Sequence, residues 1–151
     1  MSVLKAHRGT SKAEFVNTAN KIYTETLWFL SRLSARYSRL LAQDTIHLAH
    51  EVIANAEMAN TMSPVDQVRF ELRQRYLLQA KASLGALDVQ MAHVYELLML
   101  NPEGAFDNKD KAGAIKKLDK MAENLGCLID DEAKLLTGVL KYDKQAFSKR
   151  K

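Results

Sequence analysis

The 151-residue sequence has little of what breaks or staples a chain: two prolines, six glycines and one cysteine. So few breakers exclude a sheet with many turns and, with Leu, Ala, Lys and Glu abundant, predict an all-α protein of long helices. One cysteine excludes a disulfide framework; Cys127 lies in an apolar-periodic segment and is expected to be a small core residue. No uncharged apolar run approaches the ~18 residues of a membrane span. The start, MSVLKAHRGTSK, has no apolar stretch of secretory length. A cytoplasmic protein with no membrane association is therefore expected, its length suited to one domain that buries a core without metal or disulfide.

What is present predicts four helices. Ser11-Lys12-Ala13-Glu14 has the form of a capping box that opens helix 1. Its apolar face runs Phe15, Ala19, Ile22, Thr26, Phe29, Leu30 and Leu33 in steps of three and four. A break is expected at 34–38. Helix 2 then uses Leu41, Thr45, Leu48, Val52 and Ala56 and ends near Thr61. Ser63 followed by Pro64 and Asp66 reads as a cap, a first-turn proline and a first-turn acid. Helix 3 should span 64–100, stopped by the turn-forming Asn101-Pro102-Glu103-Gly104, with a stripe of Leu77, Ala80, Leu84, Leu87, Met91, Val94 and Leu98. Asp107 or Asn108 should cap helix 4, whose stripe is Ile115, Leu118, Ala122, Leu125, Ile129, Ala133 and Leu136, before Gly138. An up-down-up-down four-helix bundle over 12–138 is the simplest architecture, flanked by a basic arm at 1–11 and a basic tail at 139–151.

Within helix 3 the large residues Leu84, Leu87 and Met91 are separated by Ala80, Ala82, Ser83, Gly85 and Ala86. Small residues at that density let a neighbouring helix approach closely, either inside the chain or across a subunit contact.

The net charge of +4 is unevenly placed. Lys5, Arg8 and Lys12 face no acid in the first twelve residues, and Lys141, Lys144, Lys149, Arg150 and Lys151 stand against Asp143 alone at the end. The arginines of the body cluster as Arg32, Arg36 and Arg39 and as Arg69, Arg73 and Arg75, and arginine suits fork-like phosphate or carboxylate binding. In an up-down bundle both ends of the chain and the second cluster share one pole. Such a pole predicts binding of RNA, and of DNA, through the phosphate backbone. The alternative is solvated ends and arginines paired with Glu14, Glu71 and other acids. Tyr37 and Tyr76 could stack on unpaired bases or lie at the edge of the core.

Catalysis finds little support. Asp44-Thr45-Ile46-His47 is a single loose match to the Glu-x-x-His pairs of di-metal bundles, and Gln90 before His93 is a poor hard-metal ligand. Glu57, Asp88 and Glu96 could face inward, but no histidine stands at a readable spacing from them. Asp130-Asp131-Glu132 reads as a solvated acidic turn. No catalytic residue, cofactor or metal is expected.

Three runs carry a resemblance: Val52-Ile53-Ala54-Asn55-Ala56-Glu57; Leu77 to Met91, in which Ala, Ser-Leu, an acid and Gln recur; and Leu118-Asp119-Lys120-Met121 followed by Leu125-Gly126. Over about two thirds of its length the chain resembles the bacterial four-helix-bundle protein superfamily. That group includes proteins of ribosomal RNA intervening sequences and the accessory variability determinants of diversity-generating retroelements. The resemblance implies a homopentameric barrel of bundles with a basic surface, which in the retroelement branch binds the element's reverse transcriptase and RNA and supports mutagenic copying without catalysing it. Met58 stands where the family run has glycine, and the basic ends exceed the family pattern. The basic ends favour the retroelement branch; the alternatives are the ribosomal intervening-sequence type or an adaptor that binds proteins only.

Overall fold

The computed structural model describes residues 13–150, and all regular structure among them is helical. The helices are α1 (Glu14–Ser31), α2 (Ala35–Thr61), α3 (Gln67–Met99), the single-turn α4 (Pro102–Ala105) and α5 (Lys111–Lys149). α1 packs on α2 and α5, and α3 packs on the same two helices, so the four long helices enclose one core; α4 is seated on α3 and α5.

The predicted stripes fill that core. Every stripe residue of helix 1 is buried, as are all seven of helix 3. Ile22, Leu77, Leu84, Leu87, Leu98, Leu118 and Leu136 are among the largest fully buried side chains. Each is worth about 1.5–3 kcal/mol relative to exposure. Thr26 and Thr45, also fully buried, satisfy their hydroxyls by donating 2.7 Å hydrogen bonds to Ile22 O and Leu41 O one turn back. Gln90 in α3 then donates to Thr45 Oγ1 at 3.1 Å, joining α2 to α3 near their middles.

The boundaries differ from the sequence expectations. Glu14 is the first helical residue rather than the third, with Ala13 at the cap; Ser11 and Lys12 lie outside the described residues. The first break falls at 32–34, where the Ser34 N–H donates to Ala105 O at 2.7 Å, so 35–38 already belong to α2. Asp66, not Ser63, caps α3: its Oδ1 accepts from the Arg69 N–H at 2.9 Å, and Pro64 stays outside the helix. The cap goes to the side chain that stands next to the free N–H groups of the first turn, and the helix starts after Asp66 rather than after Ser63. Asn101-Pro102-Glu103-Gly104 is not a plain turn but opens α4, after which Asp107 takes φ 50°, a left-handed conformation that aspartate tolerates. Asp110 occupies the cap position of α5, while Asn108 instead accepts from the Asp110 N–H at 3.0 Å. Finally, α5 runs on past Gly138 to Lys149, so residues 139–149 of the expected tail are helical.

Two side chains lie on unexpected faces. Cys127 is exposed rather than in the core. Native protein should therefore react completely with a thiol reagent before any denaturant is added; protection of the thiol until unfolding would contradict its placement. Glu132, expected on a solvated turn, sits in the middle of α5 with 0% of its surface exposed.

Candidate nucleic-acid interface

One end of the molecule is assembled around Arg73. Its Nε donates to Asp143 Oδ2 at 2.5 Å, its Nη1 donates to Ala59 O at 2.7 Å, and its guanidinium lies 5.9 Å from the centre of the Phe15 ring. One side chain on α3 thus touches the start of α1, the last turn of α2 and the end of α5. Beside it Phe70 and Phe147 stack at 4.3 Å with their planes 5° apart, and Arg150 Nη1 donates to Pro64 O at 3.1 Å. These contacts bring the start of α3 against the end of α5, as the expected basic pole requires.

Arg73 itself is turned away from a ligand, because its Nε and Nη1 donate inside the fold and its side chain is only 14% exposed. The same pair removes Asp143 from the surface, since that carboxylate is buried. Between Val139 and Arg150 the exposed charges of α5 and its C-cap are therefore Lys141, Lys144, Lys149 and Arg150, with no exposed acid among them. Arg75 is exposed near by on α3, whereas Arg69 leans on Asp66 at 3.5 Å. Glu71 accepts from Gln67 rather than from an arginine. Lys5, Arg8, Lys12 and Lys151 lie outside the described residues.

Arg32, Arg36 and Arg39 are exposed at the opposite end, where α1 hands over to α2. The eighteen residues of α1 separate them from the Arg73 end by about 27 Å of helix. The fold therefore divides the predicted bases between two ends. Arg32 lies 5.6 Å from the centre of the Trp28 ring, and Arg39 lines an open groove with Tyr23, His47 and His50.

The aromatic and acidic candidates also sort themselves. Tyr37 is only 7% exposed and packs in the core, and Tyr76 is half-buried against it, so neither offers a free ring face to a base. Glu57, Asp88 and Glu96 are all exposed. The inward carboxyl is Glu132, whose two oxygens have no hydrogen-bond partner among the described residues. Burial pushes its carboxyl up to about 8. The signal was present in the spacing: Ile129, Glu132 and Leu136 continue the steps of three and four, and Ala133 beside them disguised it. His47 lies 3.9 Å from Glu51 and His93 4.0 Å from Glu96, both on the surface. Among the described residues no group of three or more His, Cys, Asp or Glu could hold a metal ion, and no helix is long and apolar enough to cross a membrane.

Compared with known proteins, the chain matches no family model, and no curated protein or solved structure matches it.

Proposed function

We propose that this protein is a non-catalytic subunit that binds RNA or DNA through the phosphate backbone, and that it serves a diversity-generating retroelement by holding the element's reverse transcriptase and RNA together. The observation that carries the binding reading is the last third of α5 with its C-cap, where Lys141, Lys144, Lys149 and Arg150 are exposed and the sole acid, Asp143, is turned inward against Arg73. Fixed on a helix, these bases present a positive strip that does not have to be ordered when a phosphate backbone arrives. The retroelement role rests on the resemblance of the α2, α3 and α5 runs.

In the same reading the four long helices run up-down-up-down and copies assemble into a homopentameric barrel in the cytoplasm. Support for assembly comes from the outer face of α3. Leu78 and Val89 are 56% and 59% exposed, Ala82 and Gly85 lie between them on the surface, and a Cβ on Gly85 would meet nothing within 4 Å. Only Ala80 of the small residues is fully buried by the chain's own helices. That exposed apolar line is also the observation that favours the second reading, a structural adaptor binding proteins only.

The two readings part on salt-dependent RNA binding. Truncating the chain after Leu140 is a poor test, because it deletes Asp143 and Phe147 and with them the packing of this end. The combined variant Lys141→Glu, Lys144→Glu, Lys149→Glu leaves those contacts in place. It should weaken binding of a structured RNA by about tenfold or more at moderate salt, and flatten the dependence of affinity on salt by roughly 0.7–0.9 per lost phosphate contact. Unchanged affinity and slope would leave the adaptor reading standing. A light-scattering mass above that of one chain, measured without RNA, checks the assembly separately.

A further inference from the structure

The end of the molecule away from Arg73 carries a recess of about 300 Å³ between α1 and the start of α5, with Phe106 at one side. α1 supplies Trp28 and Arg32, and α5 supplies Lys117 and Lys120. The left-handed turn at Asp107 carries the chain from α4 into α5, leaving Phe106 packed edge-on against Phe29 at 6.1 Å. Trp28 is the sole tryptophan of the chain, and 62% of its surface is exposed. The core does not account for it.

Two of the rings that line the recess, Trp28 and Phe106, have a cation beside them. Arg32 Cζ lies 5.6 Å from the Trp28 ring centre, and Lys117 Nζ lies 5.5 Å from that of Phe106. Of the charged lining residues, Arg32, Lys117 and Lys120 are basic and Glu25 alone is acidic. We propose that this recess binds a nucleoside phosphate whose base is unpaired: the base lies against Trp28 at the Phe106 side, and the phosphate is held by Arg32, Lys117 and Lys120. A bare phosphate would leave Trp28 unexplained, and an apolar segment would leave three bases without partners. A duplex keeps its base faces within the stack and cannot offer one to Trp28. Stacking on an exposed ring combined with a basic lining is the chemistry by which proteins hold single strands without reading their sequence. The site shares no residue with the α5 strip, so it extends the nucleic-acid reading above while standing on separate observations.

Trp28 emission reports on the recess directly. The full chain is titrated with a single-stranded oligoadenylate of roughly ten nucleotides, with adenosine monophosphate, with a duplex of equal length and with inorganic tripolyphosphate. The single strand is expected to quench Trp28 saturably, and the duplex and tripolyphosphate to leave it unchanged. Quenching by the mononucleotide at the same concentrations assigns the recess to a free nucleotide; quenching by the strand alone assigns it to an unpaired residue within a chain. The variant Lys117→Ala, Lys120→Ala should weaken the quenching titration by about tenfold, whereas the Lys141→Glu, Lys144→Glu, Lys149→Glu variant should retain saturable quenching by the strand. Absence of quenching by strand and mononucleotide alike, equal quenching by tripolyphosphate, or an unchanged midpoint in Lys117→Ala, Lys120→Ala would each overturn the assignment. Loss of RNA binding in the α5 variant with quenching retained would separate the two sites.

Discussion

Replacing Glu132 with methionine is expected to raise stability at pH 7 by about 2–4 kcal/mol, the cost of keeping the carboxyl protonated in the fold at a pH where the unfolded chain releases that proton. The carboxyl lies fully buried with both oxygens unpartnered, and methionine is close to it in length and volume. Its folded-state pKa is pushed up to about 8 from an ordinary 4.5 by loss of solvation. Between those values the folded chain keeps the proton that the unfolded chain has released, so stability falls as pH rises through the window. Below it the penalty is absent; above about 8 it is complete, on the order of 5 kcal/mol. Urea unfolding from pH 4 to 9 should show the difference between Glu132→Met and the parent widening through that interval and then levelling. A difference that stays constant from pH 5 to 8 would mean that the carboxyl reaches solvent in the folded protein.

Asp143→Ala should cost about 3–5 kcal/mol, because it leaves the Arg73 guanidinium desolvated without its counter-charge. Arg73→Ala should cost a similar amount for a different reason. The carbonyls of Ala59 and Met62, at the C-terminal end of α2, accept from Arg73 Nη1 at 2.7 and 3.4 Å and would lose that partner. Replacing both members together, as Arg73→Met with Asp143→Leu, should recover most of the Asp143→Ala loss, since an apolar pair of similar volume needs no hydrogen bonds. The reading is the shift of the urea midpoint at constant slope. A loss below about 1 kcal/mol for Asp143→Ala would place the pair among solvent-screened surface bridges, contrary to side chains that are 14% and 6% exposed.

Both effects concern residues whose roles the sequence hid. Arg73 belongs to a cluster that reads as phosphate-binding, and only its pairing with a residue seventy positions away turns it inward. Asp143 counts as one acid among five bases in the sequence, yet in the fold it is neutralised and the strip becomes wholly basic on its exposed side. Glu132 reads as part of an acidic surface run because Asp130 and Asp131 precede it, and both of those are exposed.

The sequence by itself determined that this chain is helical, where its long helices begin and, α5 excepted, end to within a few residues, and which side of α1 and of α3 faces inward. Those properties follow from a local period: apolar residues three and four apart can share a core only if the segment is a helix with that stripe turned in. The tertiary structure alone decided which cap residue reaches its N–H groups, that α5 runs on to Lys149, that the arginines separate to two ends, and that Trp28 lies beside Lys117 and Lys120. None of these is a property of a segment. Each depends on which helix end meets which, and residues distant in sequence acquire their charge environment and burial only from that meeting.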